Sequence, residues 1–211
     1  MARFRGIGNQ KEIFGWDSRL PPVSGLTRGQ PDARIGHVGK HATAAIRGES
    51  AGDTRERALV RALNEAAFGR ADEARLVDAL HAEGAVLLSL VADLDGQIAG
   101  HILFSRMWID TGGGPVPAVA LAPMAVSPGL QRRGIGGQLI RRGLDELRAQ
   151  GERIVLVLGH PDYYPRFGFS AAAARAIESP FRPEAFMAME LVPGALEGIR
   201  GKVRYPAAFG L

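Results

Sequence analysis

Residues 131–143 read QRRGIGGQLIRRG. Gly134, Gly136 and Gly137 fall within four positions, with Gln131, Arg132 and Arg133 before them and Arg141 and Arg142 after. Ile135, Leu139, Ile140, Leu144 and Leu147 then recur at helical spacing. A chain that turns through glycines into a helix makes a site for anions. The first N–H groups of a helix lack intrahelical partners, and the helix dipole favours negative charge beside them. Glycine lets a phosphate approach the backbone, and arginine adds charge and paired donors. Two phosphate loops fail at single positions. Gln138 follows Gly137 where a Gly-Lys-Ser/Thr loop needs lysine, and Leu139 stands where a G-x-G-x-x-G loop begun at Gly134 needs glycine. What remains is an anion cradle of another kind, or a tight connection whose arginines are only solvated.

The elements that must hold this segment follow from patterning on either side. ATAAIRGES reads as a short strand. Asp53 suits a helix N-cap, with Glu56 completing a capping box. Leu59, Val60, Leu63, Ala67 and Phe68 give that helix one apolar face. A second helix after Gly69 turns Leu76, Val77 and Leu80 inward and stops at Gly84. Two strand-like runs flank Asp95-Gly96, a dipeptide suited to a tight hairpin turn. TGGGP is a turn, and VPAVALAPMAV is a buried strand in which Pro123, unable to donate to a ladder, marks a bulge or an edge. The glycine-arginine helix ends near Gly151, and RIVLVLG has the unbroken apolar character of a buried parallel strand. HPDYYPRFGFS is a turn with a short helix, and AFMAMELVP and GKVRYPAAF are late strands. The order β-α-α-β-β-β-α-β-α-β-β predicts an α/β fold, a mixed sheet covered by helices.

Composition narrows the class. The chain has 211 residues, 46% hydrophobic and 23% charged, enough to bury a core. It has no cysteine, which excludes disulfides and thiolate metal sites. No apolar run approaches the roughly 20 residues of a membrane span, and the N-terminus lacks the pattern of a secretory signal. Residues 1–43 hold seven of the 26 basic residues and three of the 22 acidic ones, leaving nineteen of each sign in residues 44–211. The excess positive charge therefore lies in a Gly- and Pro-containing stretch, expected to be a poorly ordered extension at 1–43, and the domain at 44–211 is neutral. A nucleic-acid surface would need that excess on the folded domain.

Gln131-Arg132-Arg133-Gly134-Ile135-Gly136 resembles the Q/R-x-x-G-x-G/A signature of the GNAT acyl-CoA N-acyltransferases. YPRFGF at 164–169 resembles the family's Y-x-x-x-G-F element, and the element order over 44–211 is similar to the family's. LVLGHPDYYPRFGF and MELVPGALEGIRGKVRYPAAFG resemble one bacterial branch of N-acetyltransferases. One position departs: many members carry asparagine seven residues before the tyrosine, where this chain has Val157.

The resemblance implies a fold in which the strand ending at Val126 splays from its parallel neighbour. It implies acetyl-CoA as co-substrate and no metal. Backbone groups of Gln131, Arg132, Arg133, Gly134, Ile135, Gly136 and Gly137 would hold the pyrophosphate. Met124, Ala125 and Val126 would pair with pantetheine, one N–H polarising the thioester carbonyl. Tyr164 takes the general-acid position, while Tyr163 points elsewhere on a helix. For the base, His160 at the end of the strand comes first, followed by His101 and Asp162. Phe181, Arg182 and Phe186 fall in a segment that varies with the acceptor. The expected activity is direct transfer of acetyl to a primary amine in a ternary complex. The alternative is a non-catalytic acyl-CoA-binding module. The expected partner is a small-molecule or peptide amine, with a homodimer as the assembly, no nucleic acid, no membrane and a cytoplasmic location.

Overall fold

The computed structural model describes residues 44–211 apart from residue 51, so the expected extension at 1–43 lies outside the described residues. A short strand, β1 (Ala45–Gly48), leads into helix α1 (Thr54–Phe68) and helix α2 (Asp72–Ala82). Strands β2 (Val86–Leu94), β3 (Gln97–Thr111) and β4 (Gly114–Val126) form a meander, followed by helix α3 (Ile135–Ala149) and strand β5 (Ile154–Leu158). The chain closes with a two-residue strand β6 (Ile177–Glu178), then β7 (Phe186–Glu190) and β8 (Gly201–Arg204). The sheet runs β1-β2-β3-β4-β5-β7, with β8 joining the outer end of β3 and β6 joining β8. Only β4–β5 and β6–β8 are parallel, so the sheet is mixed as patterning predicts.

Local chemistry explains the boundaries. Asp95 and Gly96 turn β2 into β3 with φ of 53° and 82°, the paired positive values of a tight hairpin. Asp53 caps α1, its Oδ1 accepting from the N–H of Arg55 at 2.8 Å and of Glu56 at 3.3 Å. The reciprocal half of the expected capping box does not form. The Glu56 carboxylate instead accepts from the N–H of Ser50 at 2.8 Å and from the fork of Arg47. A guanidinium and a loop amide outcompete the cap residue's own N–H, which donates to the Ser50 carbonyl.

Helices cover both faces. Under α3 lie Leu90, Ile102, Phe104, Val119, Leu121, Val155 and Val157, packed with Ile135, Leu139, Ile140, Leu144 and Leu147. Under α1 and α2 lie Val91, Leu103, Met107, Ile109, Ala118, Ala120 and Leu156, packed with Val60, Leu76, Val77 and Leu80. Leu59, expected inward, is 50% exposed, whereas Asn64 is fully buried. The inward face of α1 runs Glu56, Val60, Leu63 and Asn64, so Leu59 falls on its flank. On the opposite face, Gly143 brings α3 close to the sheet: a Cβ there would lie 2.3 Å from the Phe104 ring.

The feature that shapes the site is in β4. Its pairing with β3 shifts register between Ile102 and Phe104, opposite Met124 and Leu121, so Ala122 and Pro123 occupy a bulge. Pairing with β5 covers only Val119–Leu121 against Val155–Val157. Beyond the bulge Met124, Ala125 and Val126 stay on β3, opposite Ile102, His101 and Gly100. Their other edge faces the gap where β4 and β5 part, which is the expected splay.

Candidate functional site

A groove of 560 Å³ opens at this splay, between the end of β4, the start of α3 and a 3-10 turn at Tyr164–Phe167. Met124 and Val126 line one side, and Arg132, Gly134, Gly136 and Gly137 line its floor. Gly134 sits at the N-cap with φ 89° and offers no side-chain cap; its carbonyl accepts from the N–H of Gln138 at 3.1 Å. The N–H groups of Ile135, Gly136 and Gly137 thus precede the first intrahelical bond, and no acidic side chain stands in this turn. Gly136 is the most closely approached of the three glycines. A Cβ on Gly136 would lie 2.8 Å from the Tyr163 hydroxyl, and one on Gly137 would lie 3.4 Å from the Phe167 ring. Ile135 is buried in the core and anchors the turn from beneath. Gln131 closes it from outside, its Nε2 donating to the Val126 carbonyl at 3.1 Å.

The far wall is cationic and aromatic. The Arg166 guanidinium lies 4.4 Å from the Tyr163 ring centre, and that of Arg141 lies 5.2 Å from the Phe167 ring centre. Arg141 also donates to the Gly137 carbonyl at 3.3 Å. Its neighbour Arg142 turns outward to pair with Glu146. Arg132, at φ 61°, joins Arg141 and Arg166 on the groove lining, while Arg133 does not line it. Backbone donors and three arginines around a cavity with no carboxylate suit an extended polyanion.

The tyrosines divide in a way patterning does not predict. Tyr163, the residue just before the 3-10 turn, lines the groove. Burial pushes its phenol up, and Arg166 and Arg141 pull it partly back. Tyr164 is buried in the α3-side core, edge-on to Tyr163 and Phe169. Its ring covers Gly159 just past β5, where a Cβ would lie 2.0 Å from the ring. Burial, and then the neighbouring Tyr163, push the Tyr164 phenol well above its ordinary value, so it keeps its proton.

The base candidates separate equally clearly. His160 starts the turn after β5 with its side chain 59% exposed. Its Nδ1 accepts from the Asp162 N–H at 3.3 Å and lies 3.7 Å from the Asp162 carboxylate. Neither His160 nor Asp162 lines the groove. His101 is fully buried beneath α1, with Nδ1 3.2 Å from Asn64 Nδ2 and Nε2 3.0 Å from Ser89 Oγ. Ser89 also donates to Glu49, whose carboxylate lies 3.3 Å from His81 Nε2 and 3.7 Å from His101 Nε2. Burial pushes the Glu49 carboxyl up, but hydrogen bonds from His101, His81 and Ser89 together hold it far below the usual carboxylate range. Sequence reasoning missed this network. Its one local signal was Asn64 on the apolar face of α1.

Among the described residues no group of three or more His, Asp or Glu side chains is placed to hold a metal ion. No helix there is long and apolar enough to cross a membrane.

A bulged strand splaying from its parallel neighbour, over a glycine-started helix with free N–H groups, defines an acyltransferase fold. The profile of the GNAT acetyltransferase domain matches residues 52–172, and the chain belongs to that family. It is 42% identical over 116 residues to YjhQ of Escherichia coli K12, an uncharacterized N-acetyltransferase, covering 54% of this chain and 64% of that protein. It is 37% identical over 151 residues to YhbS of the same strain, also an uncharacterized N-acetyltransferase, covering 70% of this chain and 89% of YhbS. The crystal structure of Escherichia coli YhbS with CoA superposes with a TM-score of 0.72 at 35% identity, over 80% of this chain and 93% of that one. A GNAT acetyltransferase from Brucella melitensis, solved with acetyl-CoA, gives 0.64 at 39%, over 78% and 97%.

Proposed function

We propose that the chain transfers an acetyl group from acetyl-CoA to a primary amine by direct attack in a ternary complex. The observation that carries this reading is the pairing of free N–H groups at the start of α3 with the open edge of Met124–Val126, in one groove. The residues fit the donor. Gly134, Gly136 and Gly137 leave backbone room for a pyrophosphate, and Arg132, Arg141 and Arg166 supply charge beside it. Arg133 sits at the same turn, outside the lining. Met124–Val126 turn the edge away from β3 toward an extended arm, with Gln131 holding the Val126 carbonyl, and an N–H there stabilises negative charge on the thioester carbonyl oxygen. The solved relatives named above hold CoA and acetyl-CoA, which supports the same occupant.

In the transfer an N–C bond forms, the C–S bond breaks, the amine loses a proton and the sulfur gains one. Tyr164 is the proposed donor of the second proton: its ring lies at the end of β5, where the strands part, and burial keeps it protonated. His160 is the proposed acceptor of the first, from the same strand end. With this donor the proposed working compartment is the cytoplasm. Calorimetry with acetyl-CoA tests the donor reading. We expect wild type to bind and Gly136→Val, which drives a side chain into Tyr163, to lose at least tenfold in affinity. Equal binding by both proteins would remove the groove from the proposal. A pH–rate profile tests the base, since an acidic limb unchanged in His160→Ala excludes His160.

A further inference from the structure

A second cavity, of 720 Å³, opens outside the groove between residues 171–179 and 181–186. Its lining is mainly apolar: Ala174, Ile177 and Phe186 are buried beneath it, and Phe181 and Pro183 form its side. Phe181 is braced edge-on against Tyr205, ring centres 6.0 Å apart. Arg175, Glu178 and Glu184 stand exposed at the mouth, Glu184 lying 3.8 Å from Arg182.

The position of this cavity gives it a role. Phe186 pairs with Leu158, the last residue of β5, and the Gly159 N–H donates to the Ala185 carbonyl at 3.0 Å. Phe186 belongs to the core layer on the α1–α2 side, whereas Tyr164, covering Gly159, belongs to the layer on the α3 side. Phe186 and Tyr164 therefore lie on opposite faces of the strand end at which β4 and β5 separate, and the cavity opens on the face away from the phenol.

We propose that this cavity is the acceptor site and that it takes a primary amine carried on an apolar, ring-sized body. The assignment rests on the acetyl-transfer reading above. The volume lies in the range of small-molecule sites. A ring between Phe181 and Phe186 buries apolar surface on both sides, whereas a polyamine or amino sugar would set ammonium or hydroxyl groups against the same walls without partners. Glu178 offers an ammonium a carboxylate at the mouth, while Glu184 lies against Arg182. Arg175 beside them offers a partner for a carboxylate, so an apolar amine and an α-amino acid with an apolar side chain share the required chemistry.

Thiol release by the full chain with acetyl-CoA, using phenethylamine, phenylalanine, spermidine and glucosamine, tests the assignment. The two ring-bearing amines together should exceed the polar ones by about tenfold or more in kcat/KM. Phe181→Ala should raise KM for the better aromatic amine about tenfold with KM for acetyl-CoA unchanged. Glu178→Gln, at an exposed position that does not threaten folding, should raise it several-fold, less so at high salt. A preference for phenylalanine that Arg175→Ala abolishes assigns its carboxylate to Arg175. Faster turnover of spermidine or glucosamine, no turnover of the aromatic amines, or indifference to both Phe181→Ala and Glu178→Gln overturns the pocket while acetyl-CoA still binds. Absent acetyl-CoA binding sinks the donor reading instead.

Discussion

Tyr163 and Tyr164 are neighbours in sequence with different surroundings, which makes them separable by experiment. Tyr164→Phe removes one hydroxyl from a packed ring and leaves the groove lining intact. The expected result is a kcat lower by about a hundredfold, within the range for positioned acid–base groups, and unchanged acetyl-CoA affinity. The proton-bearing form is the active one, so activity through this group falls as pH rises through its pKa. Because that pKa is raised, the basic limb should lie above the usual phenol range of about 10, and should vanish in Tyr164→Phe. Retained turnover in Tyr164→Phe, with loss in Tyr163→Phe, would move the role to the groove tyrosine. The arginines allow a similar contrast. Arg141→Ala removes a groove wall and should raise KM for acetyl-CoA about tenfold, whereas Arg142→Ala, which breaks an exposed pair with Glu146, should change it less than twofold. Steady-state kinetics on the two single variants decides whether the groove reads charge.

At the scale of elements, α3 sets the position of its own N-terminal N–H groups, and Gly143 sets the height of α3. In an open helix Gly→Ala would gain about 1 kcal/mol of propensity. At Gly143 the added methyl meets the Phe104 ring at 2.3 Å, and overpacking costs about 1–3 kcal/mol, so the clash decides the sign. Gly143→Ala should lower Tm and weaken acetyl-CoA binding together, and Phe104→Leu should restore part of both. Absence of coupling in that double-mutant cycle would show that the helix relaxes elsewhere. Much of this framework was legible in sequence because its causes are local. The Asp95-Gly96 turn, the bulge at Pro123 and the stripe Ile135–Leu147 each follow from a few neighbouring residues. Other features depend on partners distant in sequence. Asn64 is tolerated on the buried face of α1 because His101, on β3, supplies a polar partner beneath it, while Leu59 falls on the flank. Tyr163 reaches the groove where Gly136, on α3, leaves room for its hydroxyl. The cavity under Phe181 needs β6, two residues long, to hold its rim against β8.

Across the whole molecule, the Glu49 network ties together the β1–α1 junction, α1, α2, β2 and β3 through Glu49, Asn64, His81, Ser89 and His101. The Glu49 side chain is 1% exposed, and one of its oxygens has no partner among the described residues, so the carboxylate depends on the bonds its other oxygen makes. Its pKa is depressed in the fold, and the sign follows from that. The group stabilises the fold fully at pH above its unfolded value, near 4.3, and the contribution is lost as pH falls through the lower folded value. Glu49→Gln keeps the shape and removes the charge. It should cost roughly 2 kcal/mol near neutral pH, the scale of weakening hydrogen bonds to a charged group. Thermal unfolding of wild type and Glu49→Gln should therefore show a Tm gap that is constant well above pH 4.3 and narrows steadily below it. A gap that persists undiminished into strong acid would mean that packing, rather than the carboxylate's charge, holds these five elements together.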